Sequence, residues 1–262
     1  MARVLAVSSQ VAYGPVGLTA AVPALQARGH EVMAVPTVTL SNHPGHGKPA
    51  GFRTQPADLA AILDRLETLG ALRSCNAVLT GYFASADQVR ETAATIRRMK
   101  AETPALYILV DPVIGDGEAL YVAQPVAEAI RDELVPLANC LTPNRFELEW
   151  LSGQRVSDIG EAVAAARSLP VPEVLATSIP ADAGRLATLV VLAETVYEAI
   201  TRLRHYVPHG TGDFLAGLYL ARRADGEFPG DALRDAMTIL DRAIGASEGV
   251  STLDVAHILF GR

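Results

Sequence analysis

A glycine-rich segment near the end of the sequence combines residue types that suit phosphoryl transfer. It consists of His209, Gly210, Thr211, Gly212 and Asp213, and an apolar run that predicts a helix follows it. Glycines free the backbone, and the N–H groups at a helix N-terminus bind anions. Asp213 would then orient and deprotonate an acceptor hydroxyl while the glycine-rich turn stabilises the phosphoryl group. A simple helix cap explains the same residues, so the segment alone leaves both interpretations open.

Acidic and amide side chains follow two predicted strands. Asp111 and Asp116 are five residues apart with glycines between and after them, a pattern that suits oxygen ligation of Mg²⁺ or K⁺. A turn with solvated aspartates fits the pattern equally well. Asn144 and Glu147 lie three residues apart at the start of a predicted helix, where they would hold waters around a magnesium ion on nucleotide phosphates. Helix capping is the alternative for this pair.

Hydroxyl groups and one phenol follow other predicted strands, at Ser9, Tyr82, Thr142 and Thr177–Ser178. Hydroxyls at strand ends can orient a polar small molecule, and Gly81 beside Tyr82 permits close approach of a ligand. Turn chemistry or packing explains each of them singly. Together they indicate a binding site, because all of them lie at strand ends.

The pattern of apolar residues predicts the elements that must bring these side chains together. Short apolar runs alternate with helical periodicity through the first half of the chain, which predicts a parallel sheet with helices on both faces. Residues 174–206 differ, because runs broken by Pro180 and Gly184 indicate antiparallel strands at the sheet edge. A terminal helical block begins at about Gly212. The predicted strands of the first half are Arg3–Val7, Glu31–Val35, Asn76–Thr80, Leu106–Val110 and Ala138–Leu141.

Ligands of an open α/β sheet bind beyond the carboxyl ends of its strands, and every polar segment named above falls there. Segment 37–54 does not fit the pattern of packed helices and strands, because glycines and prolines are frequent in residues 44–51. This composition predicts a mobile loop or flap. Since no segment has the composition of a linker, we expect one domain over residues 1–262.

Composition and missing motifs exclude several function classes. The chain has 262 residues, 50% of them hydrophobic, and a formal net charge of −7 from 22 Lys and Arg against 29 Asp and Glu. These values exclude disorder and argue against a basic surface for nucleic acid or an anionic membrane. The two cysteines exclude a disulfide scaffold. With no apolar run near the ~20 residues of a membrane-spanning helix, we expect a soluble cytoplasmic protein.

The histidines give no metal signal in the sequence. His43, His46, His205 and His209 fall on predicted loops without ligand spacing, so we expect no zinc site. The Walker pattern, the G-x-G-x-x-G fingerprint and the G-x-S-x-G elbow are missing from the sequence as well.

Six segments in order resemble the pyridoxal kinases of the ribokinase-like superfamily, and the resemblance spans nearly the whole chain. It implies a three-layer α/β/α fold with a mostly parallel central sheet, helices on both faces and antiparallel edge strands. It also implies transfer of the ATP γ-phosphoryl group to the 5′-hydroxyl of pyridoxal, and often of pyridoxine and pyridoxamine, in vitamin B6 salvage. Mg²⁺, a monovalent cation such as K⁺, and a homodimer with a flap over ATP are further implications. The six segments are Ser8–Gly14, Ser41–His43, Leu79–Tyr82, Asp111–Asp116, Thr142–Glu147 and Gly210–Asp213.

The resemblance also implies roles on the phosphoryl side. Asp213 would be the catalytic base, and the backbone of Gly210, Thr211 and Gly212 would form the anion hole. Asp111 would also help to hold the monovalent cation. The residues implied for ATP are Asp111, Asp116, Thr142, Asn144, Glu147, Thr177, Ser178 and Thr211, and those implied for the metal are Asp111, Asp116 and Glu147.

On the vitamin side, the resemblance implies contacts from Ser9 to the pyridine ring and from Tyr82 close to it. The sequence departs from the family where many relatives carry a threonine that faces the substrate, because Pro44 stands at that place. A hydroxyl contact is lost there, which puts the choice among B6 vitamers in doubt. We expect His46 to take over the contact with the ring.

Alternatives from two classes stay open. A hydroxymethylpyrimidine or sugar kinase of the same superfamily would carry paired glycines after the first strand or further along, whereas Tyr13–Gly17 stands after the first strand here. A non-catalytic protein that binds pyridoxal phosphate or a nucleotide would have lost the acid at position 213, and Asp213 is present. A magnesium-dependent phosphatase is disfavoured because no Asp-x-Asp run follows the first strand.

Overall fold

The computed structural model describes residues 1–117, 119–182, 184–204 and 206–261. Its strands are β1 (Arg3–Tyr13), β2 (Glu31–Asn42), β3 (Gly51–Arg53), β4 (Ala77–Thr80), β5 (Tyr107–Val110), β6 (Gly115–Asp116), β7 (Ala119–Leu120), β8 (Cys140–Leu141), β9 (Glu173–Pro180), β10 (Arg185–Val191) and β11 (Val196–Arg202). Within the described ranges, nine of them form one sheet in the order β11-β10-β9-β8-β5-β4-β1-β2-β3. The other two, β6 and β7, pair with each other.

The centre of the sheet is parallel and both of its edges are antiparallel. Parallel pairing links β2, β1, β4, β5, β8 and β9. Antiparallel pairing adds β10 and β11 at one edge and β3 at the other. The predicted mostly parallel sheet with antiparallel edge strands is therefore confirmed.

Helices cover both faces of the sheet, as the alternating pattern predicts. In β1, Leu5 and Val7 join one apolar core while Val4 and Ala6 join the other, because successive side chains of a strand point to opposite faces. No helix in the part of the chain that the structure describes is long and apolar enough to span a membrane. The first core packs on α2 (Pro56–Thr68), α3 (Ala86–Glu102), α4 (Gln124–Ala129), α5 (Arg145–Ser152) and α6 (Ile159–Ser168), and the second on α1 (Leu18–Gln26), α7 (Thr211–Ala224), α8 (Pro229–Ala246) and α9 (Val255–Phe260).

The first two strands are longer than predicted. After the register shift between Ser8 and Gln10, β1 and β2 stay paired as far as Tyr13 and Asn42. Strand β3 then pairs with β2, so segment 37–54 is a β-hairpin with a 3₁₀ turn at its tip rather than an irregular loop. The hairpin is held together by backbone pairing between β2 and β3. Such pairing leaves no apolar periodicity in the sequence, so the hairpin could not be predicted from it.

Candidate active site

The glycine-rich turn opens helix α7. Gly210 is its N-terminal flanking residue with φ of 92°, and no side chain caps this helix. A Cβ on Gly210 would lie 1.9 Å from the carbonyl oxygen of Pro15, whereas a Cβ on Gly212 would meet nothing within 4 Å. The turn therefore needs glycine at position 210, and Gly212 faces open space. Uncapped N–H groups beside such space form an anion-binding site.

Asp213 is the third residue of α7 and does not cap it, so the simple capping interpretation is wrong. Burial raises the pKa of Asp213 to about 6, although hydrogen bonds from the backbone N–H groups of Gly17 and of Asp213 itself lower it. Gly17 has φ of 58° and packs against Ser9, because a Cβ at Gly17 would lie 2.2 Å from the Ser9 Oγ. The buried Ser9 thus lies next to the peptide that orients the Asp213 carboxylate.

Asp111 and Thr142 lie at the ends of the adjacent strands β5 and β8. Both are buried, and the Thr142 hydroxyl donates a 2.8 Å hydrogen bond to the Asp111 carboxylate. Burial and the nearby charge of Asp213 raise the pKa of Asp111 to about 8, and the bond from Thr142 opposes this. A buried carboxylate with a second, half-buried one close to it favours a cation between or beside them.

Asn144 and Glu147 form the capping box of α5. The Asn144 backbone N–H donates to the Glu147 carboxylate at 2.9 Å, and the Glu147 N–H donates to the Asn144 side-chain oxygen at 2.9 Å. Glu147 also accepts the backbone N–H groups of Ile114 at 3.0 Å and Gly115 at 3.4 Å. Its pKa lies well above the ordinary value, chiefly because of burial and then because of the charge of Asp111. Helix capping, the alternative for this pair, is present and ties the loop after β5 to α5.

Asp116 differs from these buried groups in its exposure to solvent. It is exposed in β6 and accepts the backbone N–H of Gly117 at 2.7 Å. Among the described residues, no group of three His, Cys, Asp or Glu could hold a metal ion. Asp111, Asp116 and Glu147 do not form a protein-only metal cluster in the described structure.

Thr177 and Ser178 lie on β9, at the side of the sheet where Asp111 and Thr142 end their strands. The Thr177 backbone N–H donates to the Pro143 carbonyl at 2.9 Å, and Ser178 has φ of 60° with its side chain exposed. A positive φ at a residue other than glycine costs of order 1 kcal/mol or more and marks a constrained position. Thr177 forms a β-bridge with Asn144, which brings this part of β9 next to the start of α5.

Two tyrosines border the site, one of which has no signal in the sequence. Tyr82 is half-buried against the first core, and its backbone N–H donates to the Ser8 hydroxyl at 3.0 Å. Tyr121 was missed: burial raises the pKa of its phenol, as do the charges of Glu147, Asp111 and others. Its proximity to these carboxylates depends on the β6–β7 hairpin, which no periodicity in the sequence indicates.

The histidines are gathered rather than scattered, contrary to the prediction from the sequence. The ring centroids of His43 and His209 are 4.1 Å apart, and His46 lies 5.9 Å from His209 and 5.5 Å from Tyr13. His205 lies outside the described residues. The hairpin tip thus contacts the residue that precedes Gly210.

A family model and curated relatives both place this chain among small-molecule kinases. The sequence model of the phosphomethylpyrimidine kinase family matches residues 13–255. A pyridoxine/pyridoxal/pyridoxamine kinase of Bordetella avium is 41% identical over 80% of this chain and 73% of its own length. The pyridoxal kinase PdxY of Deinococcus radiodurans is 36% identical over 83% of this chain and 77% of its own length.

Solved structures agree with these relatives. The crystal structure of pyridoxal kinase from Entamoeba histolytica has a TM-score of 0.93 at 27% identity, covering 100% of this chain and 96% of its own. The Leishmania donovani pyridoxal kinase in complex with ADP and pyridoxine has a TM-score of 0.90 at 31% identity, covering 98% and 94%. The chain therefore belongs to the phosphomethylpyrimidine kinase family and, within it, to the pyridoxal kinases of the ribokinase-like superfamily.

Proposed function

We propose that this chain transfers the γ-phosphoryl group of ATP to the 5′-hydroxyl of pyridoxal. The observation that carries this proposal is the half-buried Asp213 carboxylate in the first turn of α7, beside N–H groups that no side chain caps. With a pKa of about 6, this carboxylate is a stronger base than an ordinary aspartate and is still ionised at neutral pH. The Leishmania donovani kinase in complex with ADP and pyridoxine supports both substrates.

In the proposed reaction, Asp213 accepts the hydroxyl proton as the substrate oxygen attacks the γ-phosphorus, the bond from that phosphorus to the β,γ-bridging oxygen breaks, and ADP leaves. The N–H groups of Thr211 and Gly212, with Gly210 shaping the turn, bind the transferring phosphoryl group. Because such transfers pass through a loose transition state, positioning and charge stabilisation supply most of the catalysis. Ser9 would bind the pyridine-ring side of the vitamin, and the half-buried Tyr82 would contact the ring.

We assign ATP to the ends of β5, β8 and β9, where hydroxyl, amide and carboxylate groups share one edge. Mg²⁺ fits this edge because Asp111 is a buried carboxylate with a second one nearby, and Mg²⁺ is usually held by one or two carboxylates plus substrate phosphates. When bound, the ion would neutralise charge on the phosphates. A monovalent cation such as K⁺ would share Asp111. The ATP-binding residues of this proposal are Asp111, Asp116, Thr142, Asn144, Glu147, Thr177, Ser178 and Thr211, with Asp111, Asp116 and Glu147 toward Mg²⁺.

Further parts of the proposal concern the whole chain. Residues 1–262 would act as one domain, and the hairpin at 37–54 would serve as the flap over the substrates. The Leishmania donovani kinase with pyridoxamine supports a range of B6 vitamers as acceptors. A homodimer that works in vitamin B6 salvage in the cytoplasm completes the proposal.

One assay separates the candidate activities. Purified protein is mixed with Mg²⁺-ATP and either pyridoxal, pyridoxine or hydroxymethylpyrimidine, and ADP release is measured together with pyridoxal phosphate absorbance. We expect one ADP for each pyridoxal phosphate formed. Turnover with hydroxymethylpyrimidine alone would favour a hydroxymethylpyrimidine kinase of the same superfamily. Tight vitamer binding without turnover would contradict the kinase and favour a non-catalytic binding protein.

A further inference from the structure

Three imidazole rings meet where the tip of the β2–β3 hairpin reaches the glycine-rich turn. His43 and His209 lie with centroids 4.1 Å apart and ring planes 34° from parallel. His46 approaches His209 edge-on at 5.9 Å and 88°, and it approaches Tyr13 of β1 edge-on at 5.5 Å and 71°. His43 and His46 belong to the hairpin, whereas His209 directly precedes Gly210. The contact therefore joins the hairpin tip to the proposed phosphoryl-binding turn.

The backbone around these rings is shaped to admit them. A Cβ at Gly45 would lie 2.3 Å from the His209 Nε2, so any other residue at position 45 would displace that ring. Gly14 lies against the His46 ring, since its Cβ would be 3.4 Å from Nε2. His209 is itself fixed by a β-bridge to Thr252. Glycines on both sides and a bridged backbone indicate a defined contact.

The hairpin is anchored separately at its base. The Gln88 side-chain amide donates hydrogen bonds to the carbonyls of Thr37 at 2.9 Å and Thr54 at 2.7 Å. Strand β3 is exposed along its whole length. The base is therefore fixed to α3, and the histidine contacts hold the tip against the turn.

We propose that His209 is a positioning residue whose ring contacts with His43 and His46 hold the hairpin tip over the acceptor site while His43 and His209 are neutral. The inference rests on the proposed kinase function, because the acceptor site is the one assigned there.

Hydrogen bonding requires the neutral form of His43. Its Nδ1 accepts the backbone N–H of Gly45 at 3.1 Å, so a proton on Nδ1 would break that bond. Burial, followed by the neighbouring His209 and His46, lowers the pKa of His43 to about 4. Burial and His46 likewise lower the pKa of His209. Among the described residues, the titratable groups seen in ring contact with these imidazoles are one another and Tyr13, and Thr252, which bridges His209, carries no charge.

The direction of the pH effect follows from these shifts. In a released tip, His43 and His209 would have the ordinary imidazole pKa of about 6.5, whereas the seated tip disfavours the protonation of both. The seated tip is therefore fully stable above about pH 6.5 and is progressively released as the pH falls below that value. Acid should weaken acceptor binding in the wild type.

Two substitutions of His209 test the inference. His209→Ala removes the ring, and we expect the KM for pyridoxal at about pH 7.5 to rise roughly tenfold with kcat changed less than about threefold, since closure acts mainly on binding. His209→Phe keeps a ring that does not titrate, and we expect it to restore the KM. His257→Ala, which removes a histidine of α9 outside the cluster, is the control for histidine loss.

The pH profile separates positioning from a merely structural role. The ratio of variant to wild-type KM between about pH 5.5 and pH 8 cancels titrations that both proteins share. We expect the wild type to lose acceptor affinity in acid more steeply than His209→Phe. An unchanged KM in His209→Ala, or parallel profiles for wild type and His209→Phe, would overturn the inference.

A second measurement does not depend on the kinase activity. Histidine NMR titration of the protein without substrates should give His43 a pKa well below its ordinary value in the wild type and a higher one in His209→Ala. Equal values in both proteins would overturn the contact. A wild type that shows this shift yet fails to phosphorylate any vitamer would instead contradict the proposed function.

Discussion

Asp111 at the end of β5 and Asp213 in the first turn of α7 lie close enough that the charge of Asp213 raises the pKa of Asp111. The strands bring them together, because the carboxyl ends of parallel strands share one edge and α7 starts at that edge. Without a cation, the two carboxylates repel each other, and the protein binds a proton there instead. The site is thus electrostatically prepared for a cation that arrives with ATP.

This pairing predicts a pH-dependent stability of the protein without ligands. The pKa of Asp111 is about 8 when folded and about 3.9 when unfolded, so the folded form holds its proton more tightly. The free energy of unfolding should therefore fall by up to about 1.4 kcal/mol per pH unit as the pH rises from about 5 to 8. Urea unfolding at several pH values measures this slope.

Asp111→Asn provides the comparison for that slope. The variant keeps an acceptor oxygen for the Thr142 hydroxyl but does not titrate, so its stability should depend less on pH and exceed that of the wild type at about pH 8. Equal slopes in the two proteins would place the titration elsewhere. Mg²⁺-ATP should stabilise the wild type more than Asp111→Asn.

The turnover rate should also respond to pH through Asp213. The base must be ionised to accept the hydroxyl proton, and its pKa is about 6, so kcat/KM should fall as the pH drops below about 6. Asp213→Asn should retain binding of pyridoxal and ATP in calorimetry while kcat falls by about 10²–10⁴-fold. Near-normal turnover in this variant would remove Asp213 from the role of base.

The core of the fold could be predicted because its signals are local. Apolar runs at residues 76–80 and 106–110 and the periodicity of α2 are visible within a few residues. Strand β3 could not be predicted, because all three of its residues are exposed and only the partner strand makes it a strand. The extension of β1 beyond Val7 depends in the same way on pairing with β2.

The residues of the candidate site also differ in whether a local sequence signal indicates them. Asp111, Thr142 and Asp213 could be named because each follows a strand or opens a helix, where ligands bind. The contact of His43 with His209 joins positions far apart in the chain, and nothing in either segment indicates the other. Tyr121 was missed for the same reason.

Glu147→Gln tests whether Glu147 only caps its helix. The glutamine side chain replaces one accepting oxygen with an N–H₂ group, so it loses either the bond from Asn144 or both bonds from Ile114 and Gly115, which share one oxygen. We expect a loss of about 1–3 kcal/mol in unfolding free energy together with a higher Mg²⁺ requirement. The Mg²⁺ concentration at half-maximal rate measures the second effect.

Glu161→Gln is the matched control for that experiment. Glu161 accepts the Ser157 N–H at 2.8 Å in the first turn of α6, away from the glycine-rich turn. Its replacement should leave the Mg²⁺ titration unchanged. A normal Mg²⁺ titration in Glu147→Gln as well would mean that Glu147 acts only by fixing the loop after β5 to α5.

We expect alanine to be excluded from position 210 by the backbone conformation and from position 212 only by the function of the turn. Alanine substitution at each position separates these two reasons. Gly210→Ala should destabilise the protein, because its φ is 92° and the new Cβ would lie 1.9 Å from the Pro15 carbonyl oxygen. Gly212→Ala meets no atom within 4 Å, and alanine in a helix is favoured over glycine by up to about 1 kcal/mol. The stability of Gly212→Ala should therefore be equal to that of the wild type or slightly higher.

The turnover of Gly212→Ala tests the anion site. If the open space beside Gly212 receives the phosphoryl group, the methyl group of the alanine blocks that space and kcat falls by about 10²-fold or more. A stable Gly212→Ala variant with normal turnover would show that the phosphoryl group binds elsewhere.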